Sequence, residues 1–383
     1  MNSTSDPIYL DHNATTPLLP EVVDAMLPYL REHFGNPSSA HVFGQRAREA
    51  VERARGEVAG LLGCSPDEVI FTSGGTEANN LAIRGVTEAR PDKRHIITSS
   101  IEHPATVRPC EYLALRRWIV EAAKVDRAGR VDLDKVVALV RDDTALVTIM
   151  HANNETGTMQ PIAEIARIAR ECGAVVHTDA AQSVGKIPLH VADLGVDLLS
   201  VAGHKFGASK GVGALFVKRD TPIRPLLLGA GHERGLRPGT ENVASIVGLG
   251  RACALARSRL AAADRRVPAL RDRLWERLQA GIPGIRLHGH PTERLPNTLN
   301  VGFPGVRGSA VLATAPEVAA STGSACHEGD EVPSRVLMAM GFEAELALEA
   351  VRLSLGITTT QEEVERAAGA LVRAWRQLSR VAR

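Results

Sequence analysis

Val176-His-Thr-Asp-Ala-Ala-Gln182 and, further along, Ser200-Val-Ala-Gly-His-Lys-Phe-Gly207 decide how this chain folds. Each stands where an apolar run gives way to small or polar residues, and the break brings an acid, Asp179, or a lysine, Lys205. Each apolar run reads as a strand, with Asp179 and Lys205 at the ends of neighbouring strands. An acid and a lysine so paired are what pyridoxal phosphate chemistry requires. The lysine holds the cofactor as a Schiff base, and the acid keeps the pyridine nitrogen protonated so that the ring accepts electrons. Lysine is scarce, with only seven in 383 residues. Lys93 lies in a charged loop, and Lys124, Lys135, Lys186 and Lys218 fall in mixed segments with nothing catalytic nearby. Lys210, in a Gly-rich turn, is the one local rival to Lys205.

Around these two stretches the chain alternates. Short β-branched runs at 68–72, 95–98, 145–150, 174–177, 197–200 and 213–217 read as strands, and stretches such as 162–169 as helices. That alternation predicts an α/β fold with a mostly parallel central sheet covered on both faces. Residues 20–62 read as helical with a break at Gly35-Asn-Pro-Ser-Ser39, and an Arg- and Ala-rich helix is expected over 240–280 with a boundary near Pro268. Beyond Gly281-Ile-Pro-Gly284 the pattern changes to short strands and two helices, ending in an amphipathic helix from about 361. A chain of this length exceeds one small core. The expected division is a large domain over 15–255 and a smaller α+β domain made of 1–14 and 256–383.

Bulk properties remove other classes. A net charge of +1 gives no electrostatic footprint for nucleic acid or an anionic membrane, and aromatic residues at 3% leave few stacking platforms for single strands. No apolar run reaches the length of a membrane span, and the first residues do not form a signal peptide. The cysteines are scattered and odd in number (Cys64, Cys110, Cys172, Cys253 and Cys326), which suits free thiols in a cytoplasmic setting and argues against a metal or iron–sulfur site. Neither a G-x-G-x-x-G fingerprint nor a Walker lysine is present, against nicotinamide dehydrogenases and nucleotide triphosphate sites.

The remaining motifs suit amino-acid chemistry on the cofactor. Thr72-Ser-Gly-Gly-Thr-Glu-Ala-Asn79 follows a strand and opens a helix, so Gly75 and Thr76 can present free N–H groups to a phosphate, although a plain strand–helix turn reads the same way. His103, in Ser99-Ser-Ile-Glu-His-Pro104, can stack on a ring and carry protons, or be an idle loop histidine. His204 can face the phosphate or be structural, Gln182 suits the ring oxygen, and the amides of His151-Ala-Asn-Asn-Glu-Thr-Gly157 suit it too or simply make a turn, which Asn and Gly favour. Cys326 lies in Ser321-Thr-Gly-Ser-Ala-Cys326, too polar for a core, which is the setting of an accessible thiol, and His327 stands beside it. Arg352 is flanked by apolar residues and needs a partner, either a substrate carboxylate or a structural acid.

Taken in order, Asp11-His-Asn-Ala-Thr-Thr-Pro17, Gly35-Asn-Pro-Ser-Ser39, Thr72-Ser-Gly-Gly-Thr-Glu77, Asn153-Asn-Glu155, Asp179-Ala-Ala-Gln182, Gly203-His-Lys205, Arg237-Pro-Gly-Thr240 and Ser324-Ala-Cys326 resemble the cysteine desulfurases, members of the class V aminotransferase superfamily. The resemblance covers nearly the whole chain. It implies the fold type I of pyridoxal-phosphate-dependent transferases and a homodimer with shared active sites. It also implies conversion of L-cysteine to L-alanine, with Cys326 becoming a persulfide that is passed to a sulfur-acceptor protein. By the same resemblance Lys205 is the Schiff-base lysine, Asp179 pairs with the pyridine nitrogen, and His103 stacks on the ring. Asn154 and Gln182 face the ring oxygen, and Gly75, Thr76 and His204 hold the phosphate. Thr240 reaches the neighbouring subunit's phosphate, and Arg352, with Asn13 and Asn154, binds the substrate carboxylate.

Two positions depart from the pattern. Ala202 stands where many members carry a hydroxyl that contacts the phosphate, and His327-Glu-Gly-Asp-Glu331 replaces a Ser/Thr-rich stretch after the nucleophile. The second departure changes the charge beside the persulfide and points to a specialised acceptor. Iron–sulfur cluster assembly, tRNA thiolation, DNA phosphorothioation and cofactor biosynthesis all stay open as destinations. Selenocysteine lyase, kynureninase and aminotransferase chemistry share the fold; a cysteine in the Ser-Ala-Cys context has no use in the last two. A cofactor-free scaffold for sulfur-transfer partners would need no Asp179/Lys205 pair.

Overall fold

The computed structural model describes residues 7–262, 265–323 and 332–381. Cys326 and the 327–331 stretch therefore lie outside the described residues. After the short strand β1 (Ile8–Tyr9), the chain forms a seven-stranded sheet from β2 (Val69–Thr72), β3 (His95–Ser99), β4 (Ile119–Ala123), β5 (Thr144–Thr148), β6 (Val175–Asp179), β7 (Leu198–Ala202) and β8 (Gly213–Val217). The strand order is β2-β8-β7-β6-β5-β3-β4, and only β8 runs against the rest.

Successive side chains of a strand point to opposite faces. Ile70, Ile96, Leu146, Val175, Leu198 and Leu215 accordingly pack into one core. Their chain neighbours Phe71, Ile97, Val147, Val176, Leu199 and Phe216 pack into the other. Helices cover both faces, which is why these strands read as continuous apolar runs rather than alternating ones. Strand β4 escaped the sequence reading for the converse reason. It is the sheet edge, most of it exposed or half-buried, and Glu121 interrupts its apolar run.

The helices α1 (Pro20–Arg31) and α2 (Val42–Leu62) flank the expected break, and α3 (Gly75–Ala89) and α4 (Pro104–Ala114) follow β2 and β3. The predicted 240–280 helix is two, Val243–Ala261 and Arg266–Gly281. Pro268 sits in the first turn of the second, where its missing N–H costs no helical bond.

A second core joins Ile8 and Leu10 to Leu274, Leu299, Val301, Phe303, Val351, Leu353 and Leu371. It lies against a three-stranded antiparallel sheet of β9 (Arg286–His288), β10 (Thr298–Gly302) and β12 (Ala350–Ser354), while β11 (Val318–Ala319) pairs with β1. Two helices were expected after residue 284. The described residues hold four helical segments, at Gly308–Thr314, Arg335–Ala339, Ala344–Leu348 and Gln361–Val381. The middle two are too short to show a helical period in sequence.

One ion pair braces the sheet end that carries the site. The Arg55 guanidinium donates to both Glu233 oxygens at 2.8 Å, and Glu233 also accepts from the Phe71 N–H at 2.7 Å. The two side chains are only 7% and 3% exposed. Close by, Arg237 reaches Glu77 in the first turn of α3 at 3.0 Å, so the 233–237 stretch is tied to both β2 and α3. Glu233→Ala removes the buried partner of the Arg55 guanidinium and leaves it only the largely exposed Glu52 as an acid partner. It is expected to cost about 3–5 kcal/mol, read as a lower urea midpoint, whereas Glu52→Ala, at the exposed side of Arg55, should cost about 1 kcal/mol or less.

Candidate active site

The parallel strands β2, β3, β5, β6 and β7 end on one rim, the usual ligand side of an open α/β sheet. Asp179 is the last residue of β6. Its Oδ1 accepts from the Ala181 N–H at 2.9 Å and its Oδ2 from Asn79 Nδ2 at 2.6 Å, so the carboxylate is fixed in direction. Lys205 ends the 3₁₀ turn Gly203–Lys205 that follows β7. Its Nζ donates to the carbonyls of Asn13 and Ala14, both at 2.8 Å.

Burial, followed by the positive charge of Arg352, lowers the Lys205 pKa to about 8, against the upward pull of Asp179 and Asp11. The amine thus loses its proton nearer neutral pH than an ordinary lysine does. The sign for stability follows. Between pH 8 and the unfolded value of 10.5 the unfolded chain holds a proton that the folded apoprotein does not, so the cost of burying Lys205 is full below pH 8 and fades as pH rises through that window. Labelling of apoprotein Lys205 by a small amine-selective reagent, followed by mass spectrometry, should show a midpoint near pH 8, and Arg352→Gln should move that midpoint upward.

Asn13, Gly75, Thr76, His103, Asn154, Gln182, His204 and Arg352 join Asp179 and Lys205 on the wall of one cavity of about 350 Å³. Of the other residues singled out from sequence, Thr240 is exposed and off this wall, and Cys326 is outside the described residues. Gly74 and Gly75 open α3 at the cavity. Gly74 has φ 147°, and its backbone lies where a Cβ on Gly213 would fall, 2.7 Å away, so both positions need glycine. A Cβ on Gly75 would stand 3.3 Å from Ala202 Cβ; the alanine leaves room at the helix start but offers no hydroxyl.

His103 caps α4, its Nδ1 accepting the Ala105 N–H at 3.1 Å, which leaves Nε2 to carry the ring proton. Burial and then Lys205 lower its pKa, with Asp179 opposing. His204, opposite Thr15 Oγ1 at 3.1 Å, is lowered to about 4 by burial and the nearby lysines, and is neutral at pH 7.

Arg352 has a protein partner after all. Nη2 pairs with Asp11 Oδ1 at 2.6 Å and Nη1 donates to the Asn154 carbonyl at 3.0 Å, while Nε is buried without a partner. A bound carboxylate would compete with Asp11 for this guanidinium.

Lys186, set aside as lacking catalytic neighbours, is corrected by the structure. Its Nζ donates to Gln182 Oε1 at 2.8 Å and Asn13 Oδ1 at 2.9 Å. Burial, Lys205 and Arg352 drive its pKa far down. Asn79 was also missed, though it stands one helical turn after Gly75 and so faces the same way. A second cavity of about 370 Å³ lies beyond Lys205, lined largely by apolar groups such as Leu19, Phe206, Val267 and Leu355. No acid among the described residues lines it, so nothing there faces the Lys205 amine as Asp179 does in the first, which makes the first the catalytic candidate.

This donor set fits pyridoxal phosphate. A fixed carboxylate faces an amine of lowered pKa across a cavity that a glycine-opened helix start borders, with free N–H groups for a phosphate. Among the described residues no group of three metal-ligating side chains comes together, and no helix is long and apolar enough to cross a membrane.

Comparison with known proteins agrees with this architecture. Residues 8–367 match the class-V aminotransferases. The chain belongs to that family, whose members related to it here depend on pyridoxal phosphate. Within the family it falls among the cysteine desulfurases. It is 48% identical over 361 residues to a cysteine desulfurase of Trichormus azollae, covering 94% of this chain and 90% of that one. A solved NifS-like protein superposes with a TM-score of 0.90 at 39% identity, covering 96% of this chain and 98% of the other. SspA in complex with cysteine superposes with a TM-score of 0.82 at 36% identity, covering 91% and 98%.

Proposed function

We propose that the cavity converts L-cysteine to L-alanine and delivers the sulfur to Cys326 as a persulfide for an acceptor protein. The observation that carries this reading is Lys205 and Asp179 facing one cavity with Arg352 on its wall. Pyridoxal phosphate, when bound, supplies an electron sink that acidifies the substrate Cα–H and makes its C–S bond labile. Lys205 Nζ would hold the cofactor and, when free, move the substrate α-proton; its lowered pKa suits both tasks. Asp179, fixed by Asn79 and Ala181, would keep the pyridine nitrogen protonated. His103 would cover the ring face, Asn154 and Gln182 would meet its oxygen, and Gly75, Thr76 and His204 would receive the phosphate. Arg352, with Asn13 and Asn154, grips the substrate carboxylate. The Cys326 thiolate then attacks the substrate sulfur. The S–S bond forms as the C–S bond breaks, its electron pair returns to the three-carbon fragment, and that fragment takes a proton and leaves as alanine.

Thr240, exposed a few residues after the Arg237–Glu77 tie, is read as reaching the phosphate of a partner subunit in a homodimer. The scattered free thiols suit a cytoplasmic setting. The test is to mix yellow holoenzyme with L-cysteine and dithiothreitol and assay sulfide and alanine together. Equimolar products support the reading, and a yellow protein that makes neither overturns it.

A further inference from the structure

Glu155 belongs to the Asn153–Gly157 turn, but unlike its neighbour Asn154 it does not line the cavity described above. Its residue is buried, and burial raises its pKa to about 7 against the pull of Ser334 and Arg352. Two chain segments meet this carboxyl at the same oxygen. Ser334 Oγ donates to Oε2, and Ser334 is also the N-cap of the helix Arg335–Ala339, accepting from the Leu337 N–H at 3.1 Å. From the other side Gly323, at φ 85°, packs so closely that a Cβ there would stand 2.9 Å from Oε2. Gly323 and Ser334 bracket Cys326 in sequence.

The Glu155 backbone is held on the substrate side. The Glu155 N–H donates to Asn153 Oδ1 at 2.9 Å, and the adjacent Asn154 carbonyl accepts from Arg352 Nη1 at 3.0 Å. Arg352 also meets the strand that leads to Gly323, its N–H donating to the Ser321 carbonyl at 2.7 Å. A buried carboxyl with no nearby cation in hydrogen-bond contact is costly to keep. The contacts it makes all concern where the chain enters and leaves the stretch that contains the nucleophile.

We infer that Glu155 is a positioning residue for sulfur transfer: by accepting from Ser334 and packing against Gly323 at one carboxyl oxygen, it sets the two ends of the Cys326 segment against the loop that carries Asn154. This rests on the desulfurase reading of the cavity. It concerns the step at Cys326 and not the binding of L-cysteine, so the two steps respond differently to substitution. A carboxyl with a pKa near neutrality is well mimicked by an amide, which still accepts from Ser334.

The test uses holoenzyme and two readouts: L-cysteine binding from the visible spectral change, and persulfide on Cys326 in a single turnover by mass spectrometry. Glu155→Ala is expected to leave L-cysteine binding unchanged and slow persulfide formation by about tenfold or more, the scale for a misplaced reacting group. Glu155→Gln is expected to restore most of that rate. Ser334→Ala, which keeps Glu155 in place, should slow the same step by about threefold, a lost hydrogen bond's worth, and carries the test should Glu155→Ala fail to fold. The inference is overturned if Glu155→Ala changes neither readout, if it weakens binding as much as it slows persulfide formation, or if Glu155→Gln is as slow as alanine. Wild-type holoenzyme that never carries sulfur on Cys326 overturns the desulfurase reading itself, and this inference with it.

Discussion

Cys326→Ala holoenzyme is expected to stay yellow and to bind L-cysteine while losing sulfide and alanine release by about a thousandfold or more, as removal of a covalent nucleophile does. The argument is partly one of elimination among thiols. A nucleophilic cysteine must reach the thiolate form near neutral pH. Burial, with nearby acids adding to it, pushes Cys64 and Cys110 up to about 12, and burial pushes Cys253 up as well. The Cys172 thiol donates to the Ala169 carbonyl on the Ile162–Glu171 helix. None of the four lines the cavity that holds Lys205. The four are free, so no disulfide among them hides a second candidate. The measurement is sulfide and alanine release beside the visible spectrum. Undiminished release, or a persulfide found by mass spectrometry on another cysteine, sinks the assignment. Colour lost together with activity would instead mean that the substitution disturbed cofactor binding.

Asp179 and Lys205 were legible because their signal is local: each ends an apolar run, and a parallel sheet brings adjacent strand ends to one rim. Gly75 was legible for the same reason, as glycine at a strand–helix junction. What stayed hidden depends on contacts that no local pattern encodes. Arg352 announced that it needed a partner, but Asp11 lies at the other end of the chain. Lys186 looked idle because its partners, Asn13 and Gln182, converge on it only in the fold. Glu155 read as part of a turn, and its meaning comes from Ser334 and Gly323, far along the chain. Edge strand β4 was missed because half-exposed strands tolerate the polar residues that mask a strand pattern. Long-range polar pairing, more than secondary structure, is what sequence alone conceals here.

Lys205→Ala is expected to abolish the visible absorbance that borohydride reduces and to leave desulfurase turnover below about one thousandth of wild type. The sequence left Lys210 as a rival, and the structure separates the two. Lys205 Nζ lies in the cavity, held by the Asn13 and Ala14 carbonyls. Lys210 is exposed, beyond Gly207, and lines no part of that cavity. The environments also differ in chemistry. A Schiff-base amine must be deprotonated to react, and burial with Arg352 brings Lys205 to about 8. Asp179, fixed by Asn79, lies on the same cavity wall, so the amine and the acid can engage opposite ends of one ring. Lys210→Ala is therefore expected to keep both colour and turnover. Absorbance that survives in Lys205→Ala, remains reducible by borohydride and disappears in Lys210→Ala would reassign the cofactor to Lys210, and the cavity built around Asp179 would lose its claim to the chemistry.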